Sequence, residues 1–332
     1  MGLPIAQTIG VFRADSQAGR ASIDFSSRAQ MDRVIDVSCA LAYQCWMVNS
    51  TPKVTVVMAT YNWSSVLPYS IGSVLRQTRT DFELWVVGDA CTDDSEQVVG
   101  AIQDPRVHWY NRETNFGQQG GPNNDGIERA RGEYIAYLGH DDLWLPHHLE
   151  SLVAALDAGA DVAWAAVSFI LPDQKRVLMP HNPQSYRPKM WIPPSGFIHR
   201  KSLAQKVGGW RSFREISIDP EADLLLRMHE DGGVFRFVPR LSVLKLPAAE
   251  RKDVYRDKPC HEQAAWTKKM EAGENIEQAE LLELATHPFR AAATLMRLWF
   301  RGKTDFFGNL LRGYKKTVFD RRRKFKGLAP KS

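Results

Sequence analysis

The stretch Tyr134-Ile135-Ala136-Tyr137-Leu138-Gly139-His140-Asp141-Asp142 decides how this 332-residue chain is to be read. Its first five residues are apolar, with β-branched and aromatic members, and predict a buried strand. Two adjacent carboxylates follow at the carboxyl end, where strands of open α/β sheets deliver ligand-binding groups. Burying such charges is costly, so the pair needs a physical reason. One reason is a divalent cation, which in turn suits a phosphate. The other is a polar turn in which the acids cap the helix that follows from Pro146.

Upstream, Val54-Thr55-Val56-Val57-Met58 is a near-continuous apolar run of the kind central parallel strands show. Ser64–Gln77 then sets Val66, Leu67, Ile71, Val74 and Leu75 on one helical stripe. Strands are predicted at Phe82–Val87 and Val107–Tyr110, and helices at Ser95–Gln103 and Asn124–Arg131. A helix at Pro146–Ala158 and a strand at Val162–Val167 follow the acidic doublet. Strand and helix alternate with short connections, which argues for a parallel sheet covered on both faces. Beyond it, Pro180–Pro194 reads as an irregular connection. Short apolar segments at Gly196–His199 and Val234–Val238 flank a helix at Glu221–His229. From Ala249 onward the pattern is helical and amphipathic, strongest at Ala291–Phe300.

The net charge of +5 is localised. Residues 312–331 hold nine Lys/Arg against Asp320 alone, leaving 34 basic and 37 acidic residues elsewhere, or −3. The body is mildly acidic and the tail basic, so 312–332 is suited to peripheral contact with anionic lipid, or serves as a solubilising end. Lys315–Lys326 carries Phe319 and Phe325 between its charges, but no recognition motif accompanies it, and no nucleic-acid partner is expected. Cys39, Cys45, Cys91 and Cys260 lack metal-ligand spacing and read as free thiols of a reducing compartment. The best apolar run, Val34–Val48, is interrupted by Asp36 and Gln44 and falls short of the roughly 20 residues of a membrane span. The first thirty residues lack a signal-peptide core. A cytoplasmic protein is expected, at most at the inner face of the membrane. Residues 1–50 carry no sustained period, and Met47, just before the first strong strand, is a candidate natural start.

The first strand ends in Ala59-Thr60-Tyr61-Asn62 and the second in Gly88-Asp89-Ala90-Cys91-Thr92-Asp93. Both tips belong at the same sheet edge as Asp141 and Asp142. A ring can stack on a base and a carboxylate can accept from a ring N–H, so Tyr61 and Asp89 make a nucleobase slot. Packing for Tyr61 and a turn cap for Asp89 are the alternatives.

Together with Ser73-Val74-Leu75-Arg76-Gln77-Thr78, Asn115-Phe116-Gly117, Gly132-Glu133-Tyr134-Ile135-Ala136 and Asp141-Asp142-Leu143-Trp144-Leu145-Pro146, these segments resemble the family 2 glycosyltransferases. The resemblance covers about residues 53–245. It implies an α/β GT-A nucleotide-sugar-binding fold, with a mostly parallel central sheet flanked by helices and a helical C-terminal extension. Lack of period marks 1–50 as an N-terminal appendage, poorly ordered, and the resemblance implies a glycosyltransferase domain at 51–248. That domain divides into a nucleotide-binding half, 51–145, and an acceptor half, 146–248. A helical basic extension at 249–332 completes the chain. The implied activity is transfer of a sugar from a nucleotide-diphosphate sugar, UDP first, to a glycan, lipid-linked or other hydroxyl acceptor, as in polysaccharide biosynthesis, with inversion.

Residue by residue, the resemblance implies that Ala59, Thr60 and Tyr61 hold the nucleoside, Asp89 binds the base, and Asn123 and Asp141 complete the nucleotide site. Asp142, with Asp141, is the implied ligand of Mn²⁺ or Mg²⁺ bridging the diphosphate, whose growing charge a cation stabilises. Asp219-Pro220-Glu221-Ala222-Asp223-Leu224-Leu225-Leu226-Arg227 resembles the family's Glu-Asp-x-Asp-Leu-x-x-Arg segment. Glu221 falls at the catalytic base, with Asp219 and Asp223 as its alternates, although acids at a helix start also favour the dipole.

The chain departs from the family's pattern at four points. Gly139 stands where the family often has an acid before the doublet, and Gly88 where it has the first of an Asp pair. Pro122-Asn123-Asn124 replaces Ala-Arg-Asn, and Glu221 is longer than the usual Asp. His140 offers a neutral ligand or a supporting contact. Trp144, Trp191 and Trp210 are candidates for sugar stacking or for the core. Two other functions remain open: a GT-A domain that binds nucleotide or glycan without turnover, and a membrane-surface scaffold acting through its basic C-terminal helices.

Overall fold

The structure is a computed structural model that describes residues 51–173, 176–179, 185–286, 324–325 and 327–328. The expectations for residues 1–50, for a helix at Ala291–Phe300 and for most of the basic tail lie outside the described residues.

Among the described residues, nine strands form one sheet: β1 Val54–Thr60, β2 Phe82–Gly88, β3 Val107–Asn111, β4 Tyr134–Tyr137, β5 Leu143–Trp144, β6 Val162–Ile170, β7 Arg176–Met179, β8 Phe197–Arg200 and β9 Phe235–Lys245. The order is β3-β2-β1-β4-β8-β6-β9-β5, with β7 paired to β6. The parallel expectation holds for β3-β2-β1-β4 and for the β6–β9 pair. β8, β7 and β5 run antiparallel to their neighbours, so the acceptor half is mixed.

The helices are α1 Leu67–Leu75, α2 Ser95–Gly100, α3 Gly120–Arg129, α4 His148–Asp157, α5 Lys201–Lys206, α6 Pro220–Glu230, α7 Val254–Asp257, α8 His261–Glu271 and α9 Ile276–Thr286. Successive strand residues point to opposite faces, and the two apolar layers follow that period. Val54, Val56 and Met58 pack with Leu67, Ile71 and Val74 of α1 and Leu149 and Val153 of α4. Val57, Ile135 and Tyr137 face the other way, onto Ile127 of α3 and Leu224, Leu225 and Met228 of α6. Full burial of each such side chain contributes about 1.5–3 kcal/mol.

Three local differences from the sequence reading matter for the site. Helix α3 begins at Gly120 rather than Asn124, because Pro122 sits in its first turn, where a missing N–H costs nothing. Leu143-Trp144 is a short strand pairing with Val243 and Leu244, so Asp141 and Asp142 do not cap α4, whose N-cap is His147. Strand β9, expected to stop at Val238, passes through Pro239 and reaches Lys245. An irregularity opposite Ala165 and Ala166 absorbs the proline without ending the pairing.

Glu83, buried in β2, binds the sheet to the loop before β4. Its carboxylate accepts from Thr55 Oγ1 and from the Arg131 backbone N–H and Nε, each at 2.7 Å. Glu83→Ala leaves these donors unsatisfied, and an orphaned buried group costs about 1–3 kcal/mol. Urea denaturation is expected to show a loss of at least that size.

Candidate active site

The carboxyl ends of β1, β2, β4 and β9 open into one cavity of about 520 Å³, within the usual range of small-ligand sites. Its wall includes Ala59, Thr60 and Tyr61 from the end of β1 and Asp89 from β2. Gly139, His140 and Asp141 follow β4, Lys245 ends β9, and Asp219 and Glu221 open α6. Ser195, Tyr255 and Leu328 also reach it.

The β1 and β2 tips are fixed by residues that the strands alone do not explain. Asn62 and Ala90 adopt left-handed backbone, at φ 46° and 60°. The Asn62 side-chain oxygen accepts from the backbone N–H of Thr92 at 2.7 Å, and Asp89 N–H donates to Thr60 O at 2.8 Å. Asp89 in turn shapes the loop opposite. Its carboxylate accepts from the N–H groups of Phe116 and Gly117 at 2.6 and 2.8 Å, while Asn115 Nδ2 donates to its carbonyl. Asn115-Phe116-Gly117 is thus folded around the acid expected to meet the base. Gly88 has a steric cause: a Cβ there would lie 2.5 Å from Asn111 Oδ1 and 2.9 Å from the Trp109 ring.

Across the cavity, Asp219 is the N-cap of α6 and Pro220 its first residue, a favoured helix start. Glu221 is buried and turned into the cavity. Its Oε1 accepts from the Trp191 indole N–H at 2.5 Å and its Oε2 from Gln119 Nε2 at 3.4 Å. Burial, reinforced by the charge of Asp219, pushes the Glu221 carboxyl up to about 7. A carboxylate so poised accepts a proton readily near neutral pH.

The acidic doublet is split between two tasks. Asp141 reaches the cavity wall. Asp142 is fully buried: its Oδ2 accepts from Lys245 Nζ at 2.7 Å and Ser195 Oγ at 2.5 Å, and its Oδ1 from Leu246 N–H at 3.0 Å. Three donors converge on it, which identifies an ionised, acceptor-only carboxylate although burial pushes its pKa upward. Of the two acids expected to hold Mn²⁺ or Mg²⁺, Asp142 is therefore taken up by the Lys245 ammonium, and Asp141 alone keeps its place at the cavity wall. Among the described residues, no group of three or more His, Cys, Asp and Glu is arranged to hold a metal ion. Three protein ligands are not required where phosphates complete the sphere, so the Lys245 pairing withdraws Asp142 and leaves Asp141. Gly139 belongs to the same arrangement. A Cβ at that position would lie 2.8 Å from Asp142 Oδ2 and 3.1 Å from Asp141 Oδ1, so an added acid would displace both carboxylates.

Other expected site residues fall elsewhere. Asn123 is buried within α3 and does not reach the cavity wall, whereas its neighbour Pro122 does. Asp223 also lies off the wall; it holds Arg227 at 2.8 Å, and Arg227 donates to the Val207 and Gly209 carbonyls. Its charge is spent on that bracket, which removes it as an alternate base. Trp144 and Trp210 are core residues, donating to Ser195 O and Tyr137 Oη. Trp191 instead touches the site through Glu221. His140 sits between Thr60 Oγ1 at 3.0 Å and Tyr255 Oη at 3.3 Å. Cys91 and Cys260 are free thiols. Lys245 and Ser195 escaped the sequence reading. The available signal was Leu241-Ser242-Val243-Leu244-Lys245, an apolar run closed by a charge, as Asp89 and Asp141 follow theirs.

Residues 55–215 match the family model described as Glycosyl transferase family 2. The chain is 30% identical over 197 residues to the putative glycosyltransferase EpsE of Bacillus subtilis, a match covering 56% of this chain and 69% of EpsE. It is 38% identical over 117 residues to the succinoglycan biosynthesis protein ExoO of Rhizobium meliloti, covering 35% of this chain but only 33% of ExoO. Among solved structures it resembles S. aureus TarS 1-349 in complex with UDP-GlcNAc, at a TM-score of 0.53 and 18% identity, over 72% of each chain. Sheet order, cavity and this likeness define the GT-A fold. The chain belongs to glycosyl transferase family 2.

Proposed function

We propose that this protein transfers a sugar from a UDP-sugar to an acceptor hydroxyl with inversion at the anomeric carbon. The observation that carries the reading is Glu221, buried with its carboxyl raised to about 7, lining the same cavity as Asp89, Asp141 and Lys245. Ala59, Thr60, Tyr61 and Asp89 hold the nucleoside, as their common position at the β1 and β2 tips supports. UDP is favoured because TarS, which shares the fold, was solved with UDP-GlcNAc. The acceptor oxygen gives its proton to Glu221 as it attacks C1 of the sugar. The bond from C1 to the diphosphate oxygen breaks, and its electron pair leaves with UDP. Trp191 and Gln119 orient the carboxylate through their N–H groups. Asp141 lines the same cavity.

The acceptor class is a growing glycan or a lipid-linked sugar, handled at the cytoplasmic face of a membrane. Among the described residues no helix is long and apolar enough to cross one, so contact there rests on the basic segment 312–332. Thermal-shift measurements with UDP, UDP-GlcNAc, UDP-glucose and GDP test the donor. A ligand at 100 times its Kd stabilises the native state by about 2.7 kcal/mol. The uridine compounds are expected to raise Tm and GDP to leave it unchanged; the reverse order would overturn the uridine assignment. UDP-sugar binding without hydrolysis or transfer would identify a binding-only domain.

A further inference from the structure

We infer that the Lys245 ammonium, rather than a divalent cation, is the positive charge that receives the leaving diphosphate. This inference rests on the nucleotide-sugar reading of the cavity.

Lys245 ends β9 at the same sheet edge as Asp89 and Asp141 and, among the described residues, is the only Lys or Arg lining the cavity. Its side chain is 16% exposed, against none for Asp142. Its ammonium is held by the Asp142 carboxylate at 2.7 Å. An ammonium has three N–H donors. Among the described residues, one of them is used, on Asp142 Oδ2. Two donors therefore remain for acceptors that the described residues do not supply, on a group lining the cavity. Phosphoryl oxygens are such acceptors, and the bonds they make to an ammonium are charge-assisted and short.

The support of this lysine is as specific as that of a metal ligand. Gly139 N–H donates to Ser195 Oγ at 3.0 Å, Ser195 Oγ–H donates to Asp142 Oδ2, and Asp142 fixes Lys245. Gly139 leaves the space in which this carboxylate leans toward the lysine. When the C1–oxygen bond breaks, the departing UDP gains one negative charge. A fixed ammonium stabilises that charge without reorganising. A divalent cation seated on Asp142 would first have to evict the ammonium.

The test measures binding of UDP and of uridine, in EDTA and in Mn²⁺, to the full chain and its variants. The wild type is expected to bind UDP within about threefold with or without metal. Lys245→Gln is expected to weaken UDP at least about tenfold while leaving uridine unchanged, and to lower transfer by about 10²–10³-fold, the usual loss for one donor to a developing oxyanion. Lys245→Gln leaves Asp142 charged and buried, so the double variant Lys245→Gln/Asp142→Asn, which removes both charges at constant shape, guards against misfolding. It is expected to show the same selective loss of UDP affinity. UDP binding that collapses in EDTA and returns with Mn²⁺, or a folded double variant with wild-type UDP affinity, would overturn the inference alone. Failure to bind UDP under either condition would overturn the donor reading, and this inference with it.

Discussion

Glu221→Gln is expected to lower kcat by about 10²–10⁴-fold, the usual contribution of a positioned general base, while UDP affinity stays within about twofold. The amide keeps the shape of the acid and can still meet Trp191 and Gln119, but it cannot take the acceptor proton. Wild-type transfer should rise with pH through a limb centred near 7, the value to which burial and Asp219 raise this carboxyl. The variant's residual activity should lack that limb. Full activity in Glu221→Gln would move the base to Asp219, the remaining expected acid on this side of the cavity wall.

The same shift has a thermodynamic signature. The folded value of about 7 exceeds the ordinary 4.5 of a glutamate. Between those values the native state binds more protons than the unfolded chain, so this residue's contribution to stability declines as pH rises through the window. Above pH 7 the whole penalty of the buried charge is present, and below about pH 4.5 it is gone. Glu221→Gln should therefore melt higher than wild type at pH 8, with the gap closing toward pH 4.5. A constant gap across that range would contradict the raised carboxyl.

Asp142→Ala is expected to destabilise the fold by about 3–5 kcal/mol, the cost of leaving a buried charge unpaired. Here the stranded group is Lys245, with Ser195 Oγ and Leu246 N–H losing their acceptor beside it. Reading Asp142 as a cavity-facing metal ligand predicts a different phenotype: loss of transfer with stability intact. Urea denaturation separates the two. Asp142→Ala/Lys245→Met should recover much of the lost stability, because two well-packed apolar side chains replace an ion pair at little cost. Stability unchanged in the single variant would show that the pair is not held as described.

Much of the site was legible because its residues are local to their strands. Thr60, Tyr61, Asp89 and Asp141 each follow an apolar run directly, and a parallel sheet brings such ends to one edge. Glu221 was legible through the resemblance of Asp219–Arg227 to the family's acidic segment, since acids opening a helix also have a purely structural reason. What local pattern could not assign was the division of labour between neighbours. Asp219, Glu221 and Asp223 read alike, yet Glu221 points into the cavity while Asp223 is bound to Arg227 on the next helical turn. Asn123 read as a wall residue, but the early start of α3 buries it and presents Pro122 instead. Pro239 concealed the length of β9, since a proline ordinarily ends a central strand and only the irregular pairing accommodates it.

By itself the sequence determined the family, the alternation of strands and helices, and the sheet edge at which chemistry is gathered. Hydrophobic period and chain order suffice for that. Tertiary structure alone decided what the doublet after Tyr134–Leu138 does. Asp142 meets Lys245 from 103 positions away, and that meeting depends on β9 outlasting its proline and on Gly139 leaving room for the carboxylate. Two adjacent aspartates are chemically identical on paper. One became a cavity acid and the other the anchor of a lysine because a buried carboxylate must find its partner wherever the fold brings one.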